Sequence, residues 1–122
     1  MEFNLEVPQD QFFVRSISER GIRVSDNYFN NPFILSGQKL VSGWDVTTID
    51  DINESSLQVV FDMQPEVVLV GTGETQVFLP VLVQRLFFQR SIGFEVMTTD
   101  AACRTFNILV AEGRHVVAAL LI

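Results

Sequence analysis

The 122-residue sequence predicts an α/β fold in which a central mixed sheet is flanked by helices and preceded by an antiparallel β layer. The first third of the chain consists of short apolar runs separated by turn residues, which is typical of antiparallel strands. The rest alternates continuous apolar strands with helical segments, which is typical of right-handed crossover units. We therefore expect one domain over residues 1–122, with a β layer at 1–46 and an α/β half at 47–122.

The predicted β layer is assigned from its apolar periodicity. Residues 3–7 alternate apolar and polar side chains, the period of a half-buried strand, whereas the period of residues 11–18 is ambiguous. Apolar side chains of residues 21–28 share one face, and a polar turn separates them from residues 33–35, which predicts a hairpin. Residues 39–44 are expected to add a third strand to the same antiparallel set.

The predicted α/β half opens with a short helix that ends before Pro65. Asn53 or Ser55 is expected to cap this helix, since a side-chain oxygen at that place accepts a hydrogen bond from a first-turn amide. Residues 66–70 form the next predicted strand, and its uninterrupted apolar side chains from Val67 to Val70 are typical of a parallel strand buried on both faces. A second helix is expected to run from Pro80, which suits a first turn, to about residue 90.

The C-terminal segment adds a strand, a helix and a final strand. Residues 94–97 form the predicted strand, and Thr99 or Asp100 is expected to cap a helix that runs to residue 111. Gly113 closes this helix, and residues 115–122 form the last strand. The order β-α-β-α-β predicts a mixed or parallel sheet.

Charge and composition argue against several classes of function. Fifteen acidic residues outnumber eight basic ones for a net charge of −7, and the basic residues are scattered, which argues against nucleic-acid binding. One cysteine and one histidine provide no transition-metal ligand set, so we expect no metal and no cofactor. Apolar runs are far shorter than the roughly twenty residues of a membrane span, and the first residues have no signal-peptide pattern. We therefore expect a cytoplasmic protein.

A loop that contains two glycines follows the predicted buried strand and is the first candidate site. Gly71-Thr72-Gly73 begins like a dinucleotide-binding fingerprint, in which glycine amides approach a phosphate. It then departs from that pattern, because Gln76 stands where a third glycine belongs and Glu74 adds a negative charge. We interpret the loop as a tight structural turn, with a small anion or polar ligand as the alternative.

The helix predicted near residue 99 should begin beside this loop, at the carboxyl ends of the strands. Arg104 and Asn107 are expected to share the side opposite its apolar stripe, because residues three apart lie on the same face of a helix. Arg104 either binds a carboxylate or pairs with Glu74 or Asp100. The candidate ligand-binding residues are Gly71, Thr72, Gly73, Thr99, Arg104 and Asn107.

The sequence nominates no catalytic residue. Cys103 lies early in a predicted helix, where the helix dipole can lower a thiol pKa, but we interpret it as a small core residue. His115 is interpreted as a strand-edge residue, and no serine lies in a Gly-x-Ser-x-Gly elbow. Nucleophilic catalysis is therefore not expected.

The predicted helix over residues 81–90 is the second candidate site. Its expected core stripe consists of Leu82, Val83, Leu86 and Phe87. Arg85 lies on the polar side, and Phe88 projects nearer to the polar residues than to the stripe. An exposed aromatic residue there predicts a partner surface that includes Phe88 and Arg85. The alternative is a tertiary contact with the N-terminal β layer.

Three segments together carry a family resemblance, namely residues 65–73, residues 92–109 and the Glu112-Gly113-Arg114 turn with the apolar strand after it. Over residues 20–122 the chain resembles a small family of uncharacterised domains. That family includes the mitochondrial respiratory complex I assembly factor, a cytoplasmic protein linked to adipogenesis, and free-standing bacterial members.

The resemblance implies an α/β fold with an additional N-terminal β layer and no established enzymatic activity. Phe106 stands where the family usually has tyrosine, so a mechanism that uses that hydroxyl is not expected. The sequence also has no presequence pattern, which favours a bacterial cytoplasmic role over a mitochondrial one.

Two functional hypotheses follow. The first is a non-catalytic interaction or assembly protein that binds a protein partner or a second copy of itself. The second is a small-molecule or anion-binding protein, or an enzyme, that uses the Gly71-Thr72-Gly73 loop and the helix N-terminus at Thr99.

Overall fold

A computed structural model describes residues 11–122, so the strand predicted over residues 3–7 lies outside the described part of the chain. Within residues 11–122, eight strands form two sheets. The smaller sheet is antiparallel, in the order β1-β2-β3, and comprises β1 (Val14–Ser18), β2 (Gly21–Val24) and β3 (Asn27–Phe29). The larger sheet comprises β4 (Phe33–Ser36), β5 (Leu40–Val41), β6 (Val67–Thr72), β7 (Gly93–Met97) and β8 (Val116–Leu121).

The strands of the larger sheet lie in the order β5-β4-β8-β6-β7. β6 is parallel to both of its neighbours, whereas β4 is antiparallel to β8 and β5 is antiparallel to β4. This is a mixed sheet, and together with the antiparallel three-stranded sheet it confirms the predicted fold class.

The predicted hairpin between residues 21–28 and 33–35 is wrong. The chain instead turns between Val24 and Asn27, so that β2 pairs with β3, and β4 crosses to the larger sheet to pair with β8. All four residues of β4 are buried, which requires a sheet covered on both faces. The third strand predicted over residues 39–44 is reduced to β5, which pairs with β4 in the larger sheet.

In the described part of the chain, three α-helices cover the faces of the larger sheet: α1 (Glu54–Phe61), α2 (Val81–Gln89) and α3 (Thr99–Ala111). Asn53 caps α1, because its Oδ1 accepts a hydrogen bond from the Ser56 amide at 2.9 Å. The predicted cap of α3 is wrong by one residue, since Thr98 occupies that place and its Oγ1 accepts from the Ala101 amide at 3.3 Å.

The core consists of two layers, one on each face of the larger sheet. Val68 and Val70 of β6 point into the layer formed with α1 and α2, whereas Leu69 points into the layer formed with α3 and the smaller sheet. A strand with both faces covered needs apolar side chains at successive positions, which explains the uninterrupted apolar run over residues 67–70. Within residues 11–122, no helix is long and apolar enough to cross a membrane.

Candidate functional site

The predicted loop begins later than expected, because Gly71 and Thr72 are the last residues of β6, and this end of the strand is closed against the first turn of α3. A Cβ atom added to Gly71 would lie 2.9 Å from Thr99 Oγ1 and 3.0 Å from Thr99 Cα. Gly73, two residues later, has a φ of 94°, a conformation that glycine adopts without a steric penalty. The first glycine therefore permits close packing of the helix on the strand, and the second permits the turn.

The Thr99 side chain links this loop to β8. Its hydroxyl donates to the Leu121 carbonyl at 2.6 Å and accepts from the Gly73 amide at 2.8 Å. The Thr99 amide in turn donates to the Gly73 carbonyl at 3.0 Å. Because the Thr99 side chain is buried and its hydroxyl is fully used, its polar atoms serve the fold.

Thr72 and Asn107 are likewise engaged within the molecule. The Thr72 hydroxyl donates to the Thr75 carbonyl at 2.6 Å, and the Met97 carbonyl is a second acceptor within reach at 3.2 Å. The same hydroxyl oxygen accepts a hydrogen bond from the Val77 amide at 3.3 Å. Asn107 Nδ2 donates to the Val14 carbonyl at 2.8 Å, and its Oδ1 accepts from the Val14 amide at 2.9 Å. Asn107 thus anchors β1 to α3 with two hydrogen bonds.

Arg104 differs from the other candidate residues in how its side chain is engaged. Its side chain is exposed, and among residues 11–122 it forms no ion pair, so the predicted pairing with Glu74 or Asp100 is not found there. The structure therefore places Gly71, Thr72, Gly73 and Thr99 together at one end of the sheet. Arg104 and Asn107 lie further along α3.

A cleft of about 380 Å³ lies beside the closed loop, between the β1–β2 turn and the N-terminus of α3. Its lining residues are Ile17, Ser18, Gly21, Ile22, Gly73, Glu74, Thr98, Thr99, Asp100 and Ile122. Two of the predicted ligand-binding residues, Gly73 and Thr99, contribute to it, while the charged lining residues are both acidic. An anion would therefore meet two carboxylates in this cleft, whereas an apolar or cationic group would not be repelled.

Cys103 is a buried residue of the α3 core layer. Burial raises the pKa of its thiol to about 12, and the negative charge of Asp100 acts in the same direction. The thiol is therefore protonated at neutral pH, which agrees with the interpretation of Cys103 as a small core residue.

The core stripe of α2 is narrower than predicted. Val83 and Phe87 are buried, and the Phe87 ring stacks on Phe94 of β7 with 4.9 Å between ring centroids. The assignment of Leu82 to the core is wrong, because its side chain is 72% exposed. Phe88 is 66% exposed and reaches the same Phe94 ring with its edge, at 5.6 Å between centroids.

The outward side of α2 carries a group of exposed side chains, which we call the α2 surface. It consists of Phe78, Val81, Leu82, Arg85 and Phe88. Phe78 is 81% exposed and Val81 is 64% exposed, and the four helical members follow the i, i+1, i+4, i+7 spacing of one helix face. Phe88 and Arg85 are the members predicted from the sequence, whereas the other three members are not predicted. The sequence signal for Val81 and Leu82 is that α2 has apolar residues on both of its sides, whereas a helix with one covered face needs only one apolar stripe.

The fold and these sites define a class of protein: an α/β domain whose glycine loop is closed by its own helix and whose second helix exposes an apolar surface. Within residues 11–122, no group of three or more metal-ligating side chains is assembled. Residues 14–121 match the model of the family described as protein of unknown function (DUF498/DUF598), and the chain belongs to that family.

The resemblance expected from the sequence is confirmed by curated relatives. The chain is 40% identical over 111 residues to NADH dehydrogenase (ubiquinone) 1 alpha subcomplex assembly factor 3 of Bos taurus, and the match covers 89% of this chain and 60% of that protein. It is 34% identical over 89 residues to the 13 kDa major membrane protein of Francisella tularensis, with 72% of each chain covered.

Solved structures of bacterial relatives have the same fold. The crystal structure of a Bordetella parapertussis protein has a TM-score of 0.85 and 38% identity, and the match covers 93% of this chain and 98% of that one. A solution structure from Bordetella pertussis, described as a Mth938-like domain, has a TM-score of 0.83 and 30% identity, with 99% and 92% covered.

Proposed function

We propose that this chain is a non-catalytic protein-interaction domain, similar in role to an assembly factor, and that it binds its partner through the α2 surface. The observation that carries the proposal is the exposure of four large apolar side chains, Phe78, Val81, Leu82 and Phe88, on and just before one helix. Grouped apolar exposure of this kind is uncommon on proteins that act alone and marks interaction sites. The name of the bovine relative supports the same role, although the chain spans only 60% of that protein's length.

The α2 surface has the composition of an interface centre. Phenylalanine and arginine are both enriched at protein interfaces, and Phe88, Phe78 and Arg85 supply these residue types. Removing each apolar side chain from water contributes about 1–2 kcal/mol, before the cost of association. Four such side chains are enough to make this surface the centre of a specific contact.

We propose a cytoplasmic location, although the Francisella relative is named a membrane protein. Helices that bind membrane surfaces are rich in lysine and arginine on their polar side, whereas α2 carries a single basic residue, Arg85, in a chain of net charge −7. Fractionation of source cells tests this location. Recovery of the chain with the membrane pellet after a salt wash would contradict it.

The interaction proposal is tested by crosslinked affinity capture from source cells with matched surface variants. The Phe88→Ser variant removes an apolar side chain from the α2 surface, while Ile108→Ser removes one that is 58% exposed on α3. We expect the wild type and Ile108→Ser to recover the same protein partner and Phe88→Ser to lose it. Recovery of that partner by all three chains would show that the α2 surface is not the interface.

We propose as a second candidate function that the cleft beside α3 binds a small ligand. The cavity itself supports this candidate, since its lining combines apolar side chains with the carboxylates of Glu74 and Asp100. The expected ligand is neutral or cationic. A fragment screen that follows the Gly73 and Asp100 amide resonances tests it, with paired amine and carboxylate fragments of equal size. The candidate fails if neither fragment series shifts these resonances in a saturable way.

A further inference from the structure

Arg85 is the charged residue at the centre of the otherwise apolar α2 surface. Side chains on a helix pair with residues three or four positions away, and for Arg85 these are Val81, Leu82, Phe88 and Gln89. None of these side chains carries a carboxylate. Among residues 11–122, Arg85 forms no ion pair within 4.0 Å.

Arg90, just after the end of the same helix, is an arginine whose side chain contacts other residues of the domain. Its guanidinium forms an ion pair with Glu54 at 3.0 Å and donates to the Leu86 carbonyl at 3.1 Å. It also lies over the Phe61 ring, 4.2 Å from the ring centroid. Arg90 therefore has three partners within the domain, whereas Arg85 makes none of these three kinds of contact with residues 11–122.

We infer that the partner of the α2 surface is a different protein whose apolar contact patch contains a carboxylate that pairs with Arg85. This inference rests on the proposed function. A partner that covers Leu82 and Phe88 also removes water from the guanidinium between them, and a buried charge without a counter-charge is strongly unfavourable. A carboxylate meets this need best because its two oxygens match the planar fork of arginine.

A second copy of the chain does not supply this partner. α2 contains no Asp or Glu, so a two-fold contact between two α2 surfaces would bring Arg85 towards its own copy without a carboxylate from either helix. Each copy also carries a net charge of −7, which opposes association of two chains. The same net charge opposes approach to an anionic lipid surface.

The experiment selects displayed random peptides on the wild type and measures their affinities for four variants. Leu82→Ser tests whether a peptide occupies the α2 surface, and Arg85→Glu and Arg85→Lys test the charge pair. Arg104→Glu is the matched control, because Arg104 is also an exposed helical arginine and its replacement changes the net charge by the same amount. All three substituted positions are exposed, and circular dichroism checks that each of the four variants is folded.

We expect the selected peptides to combine apolar residues with Asp or Glu. Their affinity should fall by about thirtyfold or more on Arg85→Glu, fall less on Arg85→Lys, and stay unchanged on Arg104→Glu. Replacing the acidic residue of a peptide by lysine should restore its binding to Arg85→Glu.

The possible failures of this experiment are distinguishable. If binding is lost with Leu82→Ser but is insensitive to Arg85→Glu, the acidic partner is excluded and the proposed interaction surface stands. If Leu82→Ser has no effect on any selected peptide, the proposed function itself fails. The inference is also overturned if the wild type forms a dimer, or binds phosphatidylglycerol vesicles, in a way that Leu82→Ser abolishes.

Discussion

Helices α2 and α3 lie on opposite faces of the same sheet and use their side chains in opposite ways. At the start of α3, Thr99 is buried and every polar atom of its side chain is hydrogen-bonded to the loop or to β8. On α2, Leu82 and Phe88 point away from the core. The polar groups at the start of α3 are thus engaged within the domain, whereas the outward side of α2 is exposed in the part of the chain that the structure describes. A motif that looks like a binding loop can therefore be part of the fold, and the larger exposed apolar surface can lie on a helix without any recognisable motif.

The largest expected effect on stability concerns two adjacent phenylalanines of α2, one facing the core and one facing solvent. Phe87 is fully buried and packs against Phe61 and Phe94, so Phe87→Ala should lower the free energy of unfolding by about 3–5 kcal/mol. Phe88→Ala should lower it by less than about 1 kcal/mol, because most of that side chain is already in water. Urea unfolding followed by the fluorescence of the buried Trp44 measures both values. Similar values for the two variants would mean that Phe88 belongs to the core.

The next test concerns the closed glycine loop. Gly71→Ala places a methyl group 2.9–3.0 Å from atoms of Thr99, including a backbone atom that cannot move aside cheaply, and should cost about 1–3 kcal/mol. Gly93→Ala is the control, because its added methyl group would be 3.5 Å from the nearest atom, the Glu66 carbonyl oxygen. We expect a change within about 0.5 kcal/mol for that variant. An unaffected Gly71→Ala variant would show that the loop is open.

An effect of similar size is expected for Thr99→Val, which keeps the shape of the side chain and removes its hydroxyl. The Leu121 carbonyl would lose a buried hydrogen bond and the Gly73 amide a partly buried one, at a cost of about 1–3 kcal/mol. Thr99→Ser should recover most of that loss. Thr105→Val is the control, because the Thr105 hydroxyl makes only a 3.6 Å contact with the Met97 sulfur. Equal stability of Thr99→Val and Thr105→Val would contradict a structural role for the Thr99 hydroxyl.

The α3 side was largely predictable because its signals are local. The apolar run over residues 67–70 is continuous because both faces of β6 are covered, and this pattern is visible without knowing what covers them. The close approach of the glycine loop and the helix start follows from the rule that parallel strands end at one edge. The role of Asn107 could not be predicted, because its partner Val14 is 93 residues away.

The α2 side was less predictable for a different physical reason. Leu82 and Val83 are adjacent apolar residues, and periodicity alone does not say which of them points to the sheet. The choice depends on tertiary contacts, here the stacking of Phe87 on Phe94. The same dependence explains the mistaken hairpin, since β4 pairs with β8 at the far end of the chain.

The smallest expected effect concerns Cys103 and tests how closed the α3 side is. Burial raises the pKa of its thiol from 9.0 to about 12, so above about pH 9 the unfolded chain releases a proton that the folded chain still holds. The stability associated with the buried thiol is fully present below pH 9 and is lost as the pH rises towards 12. Between pH 9 and pH 10 the wild type should lose roughly 1 kcal/mol more unfolding free energy than Cys103→Ala, as measured by urea titration. Parallel pH profiles for the two chains would mean that water reaches the Cys103 thiol and that the core layer formed with α3 is not closed.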